Sequence, residues 1–430
     1  LILAAAVWHV FITLTVFLVG RYRLIPNQID PAGLAMTSDA ADYQGDCVLL
    51  VYVLRNGSVR EWATWPTQLH VRFYSLPLTL LFRWIGFSVL AIEPLNLIYY
   101  LLILALVFQI GKTIFDYESG LVAAGVVAVW PSLLFHSTQL LREPLLILAL
   151  LVTIYCVVKC LSGDLPWRRG LLLTLAAVLA LLTIRIVRLP VWQLLYVVVP
   201  VAIILLLIRS VGEKRVRIGA AILAAAMTMA LVIIPRFQGS FENQQQLMVE
   251  GGAQDHEWLQ ELSLVQQIEA RRKGFLIRVD EDGNVLQVTD GSNIDTDAGF
   301  QTVGDLIRYL PRALVVGLFS PFPNMWWRAG RQVGHGGRWL SGIETLLTYI
   351  IEGLALFGLW LGRRKFASWF LLIFAGLGAL SLGIAVNNIG ALYRLRYPFW
   401  VMLVILGAGG AVGLLRQIFF RPAMKPSLSV

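Results

Sequence analysis

Ten apolar runs, most of them about 18 residues or longer, recur along this chain, at 1–20, 93–111, 119–137, 143–160, 170–186, 190–209, 217–235, 343–361, 366–386 and 397–418. Coiled as a helix, such a run crosses a hydrocarbon core about 30 Å thick. The bilayer interior offers no water to an unpaired backbone group, so each run must satisfy its own hydrogen bonds, and a helix does this within one segment. The short alternating segments of a transmembrane barrel are absent. The sequence therefore predicts an all-α polytopic membrane protein, a bundle of about 10–12 transmembrane helices with outer-face loops and surface-lying helices.

Charge supports this reading. Only 14% of the residues are charged, where a soluble domain carries roughly 25%. The formal net charge of +9 does not point to nucleic acid, because the basic residues sit beside the apolar runs, as a topology signal does. Cys47, Cys156 and Cys160 give neither a disulfide framework nor a metal signature. The first run lacks a basic leader region and a small-residue cleavage site, so it reads as a retained helix.

With the N-terminus inside, four basic groups fall on the cytoplasmic side by the positive-inside rule. They are Lys159 with Arg168 and Arg169; Arg209 with Lys214, Arg215 and Arg217; Arg363, Arg364 and Lys365; and Arg416, Arg421 and Lys425. The long segments 21–92 and 236–342 then face outward. The chain divides into an N-terminal membrane module (1–235, including outer loop 21–92), an acidic outer loop or small subdomain (236–305) and a C-terminal membrane module (306–430). Residues 236–305 hold thirteen Asp or Glu against five Arg or Lys.

Residues 76–92 are apolar enough to span, but doing so would turn the basic groups outward. A surface-lying helix, interrupted by Arg83 and bracketed by Pro77 and Pro94, avoids that conflict. Residues 306–322 read as a short or re-entrant element ended by prolines, with Trp326 and Trp327 at headgroup level. Around Asp282-Gly283 two β-like stretches suggest a hairpin, preceded by an amphipathic helix over 257–273.

Four constellations on the outer side carry chemistry. The first outer loop holds Asp39, Asp42 and Asp46, with Tyr43 and Gln44 and, further on, His70. A carboxylate just outside a span can act as a general base toward an acceptor hydroxyl, although the same spacing describes an ordinary loop surface. Next comes Gln139-Leu140-Leu141-Arg142-Glu143-Pro144, preceded by His136. Its Arg-Glu pair is either a helix cap and interfacial anchor or a phosphate-recognition point, with Arg142 offering its planar fork of donors. Arg185 and Arg188 occupy a short outer turn, against the positive-inside trend. They either snorkel to headgroups or neutralise a lipid-linked phosphate. Finally, Asn387 to Pro398 contains Arg394 and Arg396 as a second phosphate clamp. Tyr43, Glu143, Asn388 and Tyr393 are the candidates for acceptor or sugar contacts. No spacing predicts a metal site, since Asp280, Asp282 and Gly283 lack the rest of a calcium loop. No cofactor is called for, and a divalent cation is compatible with the chemistry.

The passages Thr37 to Tyr43, Pro131 to Pro144, Pro311 to Trp327 with its Phe-Ser-Pro-Phe-Pro core, and Tyr393 to Pro398 together resemble the integral membrane glycosyltransferases of the GT-C superfamily. Within it, the chain is similar to bacterial dolichyl-phosphate-mannose mannosyltransferase-like enzymes that use polyprenyl-phosphate sugars. The resemblance implies transfer of a sugar from a polyprenyl-phosphate donor to a glycan, lipid or protein acceptor, in cell-envelope or exopolysaccharide assembly. It implies a catalytic Asp42, because Tyr43 follows it, with Asp39 as the second candidate, and places Arg142, Arg394 and Arg396 on the lipid phosphate. It makes 55–92 the surface helices that flank the acceptor groove. The chain departs from the family in having Glu143 after an arginine where an acidic pair is usual, and in the 236–305 insertion. The implied partners are a lipid-linked sugar or glycan, membrane lipids and polysaccharide-assembly proteins, not nucleic acid. The implied location is the bacterial inner membrane, with both termini cytoplasmic. Two other classes fit the same topology. One is a polymerase or ligase on a lipid-pyrophosphate-linked glycan, in which His136, His256 or His335 would act. The other is a lipid or polysaccharide transporter, for which inverted hydropathy repeats are missing.

Overall fold

The structure, a computed structural model, describes residues 1–25, 29–36, 38–164, 166–215, 217–246, 263–274, 277–279, 285–287, 293–327 and 334–419. It is an all-α polytopic membrane protein. In chain order the helices begin with α1 (Ile2–Arg21), α2 (Ser38–Asn56), α3 (Val59–Thr64), α4 (Leu69–Ile85), α5 (Val89–Ile114), α6 (Tyr117–Val129), α7 (Pro131–Ser137) and α8 (Glu143–Ser162). They continue with α9 (Trp167–Val187), α10 (Leu189–Gly212), α11 (Ile218–Gln246), α12 (Leu264–Gly274), α13 (Val303–Phe319), α14 (Gly334–Leu361), α15 (Phe366–Ala385), α16 (Ile389–Leu395) and α17 (Tyr397–Phe419). Among the described residues nine helices are long and apolar enough to cross a bilayer. A tenth span forms if α6 and α7, bent by 66° at Trp130, count as one. All ten apolar runs of the sequence lie on these spans.

Of the two ambiguous stretches, 76–92 divides between the end of α4 and the start of α5, and 306–322 lies mostly on α13; α4 and α13 are each 17 residues and neither is among the spans. A left-handed Gly86 (φ +74°) ends α4, a conformation that costs glycine nothing. Pro77 and Pro94 were expected to bracket a helix, yet each lies inside one, as does Pro311, whereas α13 ends at Phe319 just before Pro321 and Pro323, as expected. The nearby Leu78, Ile92 and Ala313 are all fully buried, so packing of those turns overrides the missing backbone donor. A Thr302–Asp305 capping box starts α13. The anticipated hairpin forms as β1 (Ile277–Val279) antiparallel to β2 (Val285–Gln287), Ile277 opposite Gln287. Its turn, Asp282-Gly283, lies outside the described residues, as does the 257–262 part of the expected amphipathic helix.

The bundle has two chemically different ends. At one, Arg209 and Arg217 grip Glu213 and donate to the carbonyls of Cys160 and Gly163. There Arg416 bridges Asp116 and Glu118, and Lys365 reaches the Ile114 carbonyl. All four basic groups of the sequence send members to this end. The opposite end collects the first loop, the 138–142 turn, Arg188, α12 and α16.

Helices cross closely where side chains are smallest. On α13, Ala313 and Gly317 face Gly383 and Ala379 of α15, backbone against backbone. Gly358 of α14 and Gly410 of α17 meet in the same way across the carbonyls of Leu406 and Leu354. Lipid supplies no hydrophobic drive between helices, so small residues that admit close van der Waals contact hold such interfaces. One polar knot also lies within the bundle: His9 of α1 contacts Glu93 of α5 (2.8 Å) and Ser137 of α7 (3.0 Å), and Thr13 donates to the same Glu93 (2.7 Å). Each ionisable group there has a partner, as burial in a membrane demands.

Candidate functional site

Five charged residues converge at the end opposite the basic groups. Asp39 opens α2, Arg142 and Glu143 open α8, Arg188 links α9 to α10, and Arg394 closes α16. Arg394 donates from Nη2 to Asp39 Oδ2 (2.5 Å), and its Nε lies 3.1 Å from Glu143 Oε1. Nε also counts among the buried donors without an aligned hydrogen bond, so the second contact is a charge contact. Arg188 Nη1 approaches the same Glu143 oxygen at 3.5 Å. The negative charge of Glu143 also suits the positive end of α8.

The loops that carry these groups are held from below. Tyr74 donates to Asn96 (2.6 Å) and to the Leu141 carbonyl (3.2 Å), and Gln139 donates to the Gly33 carbonyl (3.1 Å). Asp30 accepts from the Leu34 and Ala35 amides and from Gln44 of α2, which sets the loop before Asp39. Asn388 caps α16 and pairs with Asn293. Below α16, Glu344 of α14 accepts from Tyr393, from Ser132 Oγ (2.6 Å) and from the Ser132 amide (2.8 Å). His136 Nδ1 then donates to the Ser132 carbonyl at 2.6 Å.

The electrostatics follow from this geometry. Burial alone would raise the Asp39 carboxyl. The charge and hydrogen bond of Arg394, with Arg142 and Arg188 behind it, outweigh burial and hold Asp39 below its ordinary value. Burial opposes the charge on Arg394 too, but Glu143 and Asp39 keep that guanidinium above its usual value. Arg188 falls to about 10 through burial and the like charge of Arg142, and it remains a cation at neutral pH. Three guanidiniums thus face two carboxylates, leaving one positive charge in excess. Arg142 has no ion pair among the described residues, and Glu143 Oε2 is buried without a hydrogen bond.

Of the residues singled out in the sequence, Asp39, Tyr43, Arg142, Glu143, Arg188 and Arg394 come together. Asp42, the first choice for a base, is exposed, whereas Asp39 and the buried Tyr43, four residues apart, share the inward face of α2. Arg185 sits half-buried near the end of α9. Arg396 is turned elsewhere: it is buried, donates to the Ser320 carbonyl (2.6 Å) and stacks on Tyr393 at 4.4 Å. Tyr393 is committed to Glu344, and Asn388 to its cap, so both serve the scaffold. Of the other two histidines considered, His335 is exposed and His256 lies outside the described residues. Asp30, Glu93 and Glu344 were not singled out in the sequence. Glu344 in an apolar span is the kind of intramembrane carboxylate that carries its own signal. Among the described residues no group of three or more His, Cys, Asp or Glu is placed to hold a metal ion.

Compared with protein-family models and with curated proteins, the chain matches none.

Proposed function

We propose that this protein transfers a sugar from a polyprenyl-phosphate donor to an acceptor hydroxyl, at the end of the bundle that carries Asp39. One observation carries the reading: an anionically held Asp39 shares Arg394 with the excess-cationic cluster of Arg142 and Arg188. A donor phosphodiester brings one negative charge and neutralises that excess. Asp39 takes the proton as the acceptor oxygen bonds to the anomeric carbon, and the carbon–oxygen bond to phosphate breaks with its electrons on the leaving phosphate. The charge lost at Asp39 reappears on that phosphate, so the total stays level while negative charge moves toward the arginines. Donors aimed at developing charge in a site without bulk water are the strongest kind of electrostatic stabilisation. In this reading Asp39 rather than Asp42 is the base. The transfer face is extracytoplasmic in a bacterial inner membrane, with both termini and the four basic groups in the cytoplasm, in envelope or exopolysaccharide assembly. A GT-C-like fold, a lipid-linked glycan and polysaccharide-assembly proteins as partners belong to the same proposal.

A polymerase or ligase acting on a lipid-pyrophosphate glycan is the second reading. It is favoured by His136, whose ring is fixed through Ser132 and which interacts electrostatically with Arg394 and Glu143. Purified protein offered radiolabelled polyprenyl-phosphate sugars and a panel of glycan acceptors separates the two. Label should move to acceptor in one step and release polyprenyl phosphate. Inertness over all donors, with chain growth from a pyrophosphate-linked repeat, would replace the first reading by the second.

A further inference from the structure

We propose that His70 and Tyr43 form the subsite for the transferred sugar ring, with His70 Nε2 recognising one of its hydroxyl groups. The inference rests on the Asp39-site reading above and names the part of the donor that the site selects. His70 is the second residue of α4 and is 1% exposed, yet its Nε2 has no hydrogen-bond partner among the described residues. Leaving a buried polar atom unpaired costs about 1–3 kcal/mol, and native structures keep few of them. Tyr43 of α2 meets the imidazole edge-on, with ring centroids 4.4 Å apart and planes at 80°.

Position assigns the ligand. Both His70 and Tyr43 interact electrostatically with Arg142 and with Asp39. In a displacement at an anomeric carbon, the leaving phosphate and the incoming hydroxyl stand on opposite sides of the ring being transferred. Tyr43 stands one turn beyond Asp39 on the inward face of α2 and His70 packs on Tyr43, so with Arg142 at the phosphate and Asp39 at the hydroxyl this pair lies beside the ring between them. The chemistry of the pair fits a neutral polyol. Burial and the charge of Arg142 push His70 down to about 3, so it is an uncharged imidazole at working pH. It competes with neither the phosphate clamp nor the base. What remains to it is hydrogen bonding to a hydroxyl, and Tyr43, packed against the imidazole, fixes the ring that offers Nε2. A site that hydrogen-bonds a hydroxyl from a buried group rejects the analogue lacking it, because the protein group is then stranded.

The test is equilibrium binding to the full-length protein in lipid nanodiscs. The ligands are polyprenyl-phosphate glucose and mannose and their monodeoxy forms at each ring hydroxyl. The wild-type protein should bind one deoxy form roughly 10-fold more weakly than its parent, the size of one hydrogen bond. His70→Phe should bind that deoxy form and the parent alike, while His70→Gln, which keeps a hydrogen-bonding group, should retain part of the preference. A purely structural role would weaken every ligand by the same factor in His70→Phe, and that result would overturn the assignment. A wild-type protein indifferent to all deoxy positions would also overturn it, without recourse to any variant. Failure of the wild type to bind any polyprenyl-phosphate hexose is a separate outcome that removes the Asp39-site reading and this subsite with it.

Discussion

Replacing Asp39 by Asn separates chemistry from binding at this site. The amide keeps the shape of the carboxylate and can still accept from Arg394 Nη2, now at 2.5 Å from Oδ2, so the fold and the loop should persist. It cannot take a proton. General-base catalysis is worth roughly 10²–10⁴ in rate, and the turnover number should fall by about that factor. Donor affinity should move the other way. Removing one of two carboxylates from a cluster of three arginines raises its net charge from one to two, which favours an anionic lipid phosphate. The expected signature is a collapse in kcat with donor Kd unchanged or tighter, read from single-turnover transfer and from equilibrium donor binding. pH supplies a second axis. Because Asp39 is held below the usual carboxylate value, wild-type activity should rise with pH below that usual range and be level at neutrality. The variant should lose this acidic limb. Wild-type kcat in Asp39→Asn, or donor binding lost in parallel with rate, would refute the assignment of Asp39 as base.

Three further outcomes follow from the same geometry. Arg394→Ala strips the main partner from Asp39 and from the buried Glu143. It should destabilise the protein by about 3–5 kcal/mol in detergent unfolding, with Arg394→Lys recovering part of the loss. Gly358→Leu forces a side chain against the Leu406 carbonyl and should cost about 1–3 kcal/mol or more, visible as a lowered unfolding temperature. Since Cys47, Cys156 and Cys160 are buried, single new cysteines report topology cleanly. An impermeant thiol reagent applied to intact cells should label Thr296→Cys and spare Lys214→Cys, and the reverse pattern would invert the proposed orientation.

The spans were legible because a hydrocarbon solvent leaves little latitude: each of the ten runs is long, apolar and bounded by charge. The two sets of loops were legible for a related reason, since basic residues mark one end. What escaped the sequence is what depends on rotation and docking. Asp42 and Asp39 are both acidic and both near Tyr43, and only the facing of α2 distinguishes an exposed carboxylate from one on Arg394. Arg394 and Arg396 differ by two residues and part company because one precedes and the other follows the end of α16, where Arg396 finds the Ser320 carbonyl. Proline was over-read at Pro77 and Pro94, which remain within helices because buried neighbours fix those turns. His9 and Glu344 stand out as polar residues in apolar stretches, but the stretch alone does not say what they meet. Their roles emerge only from partners 84 residues away for His9 and 212 and 49 away for Glu344.

The ion-pair cluster has a consequence for how the protein is made. Asp39, Arg142, Glu143 and Arg188 all leave the ribosome well before Arg394, which at roughly 5–20 residues per second is a delay on the order of 10–40 s. Throughout that interval the half-built bundle holds Glu143 at a membrane boundary with Arg188 and Arg142 but without the cation that later closes on it. Completion therefore changes the charge of the site: the first module brings two arginines against two carboxylates, and only the C-terminal module adds the cation that contacts both acids and leaves the cluster positive.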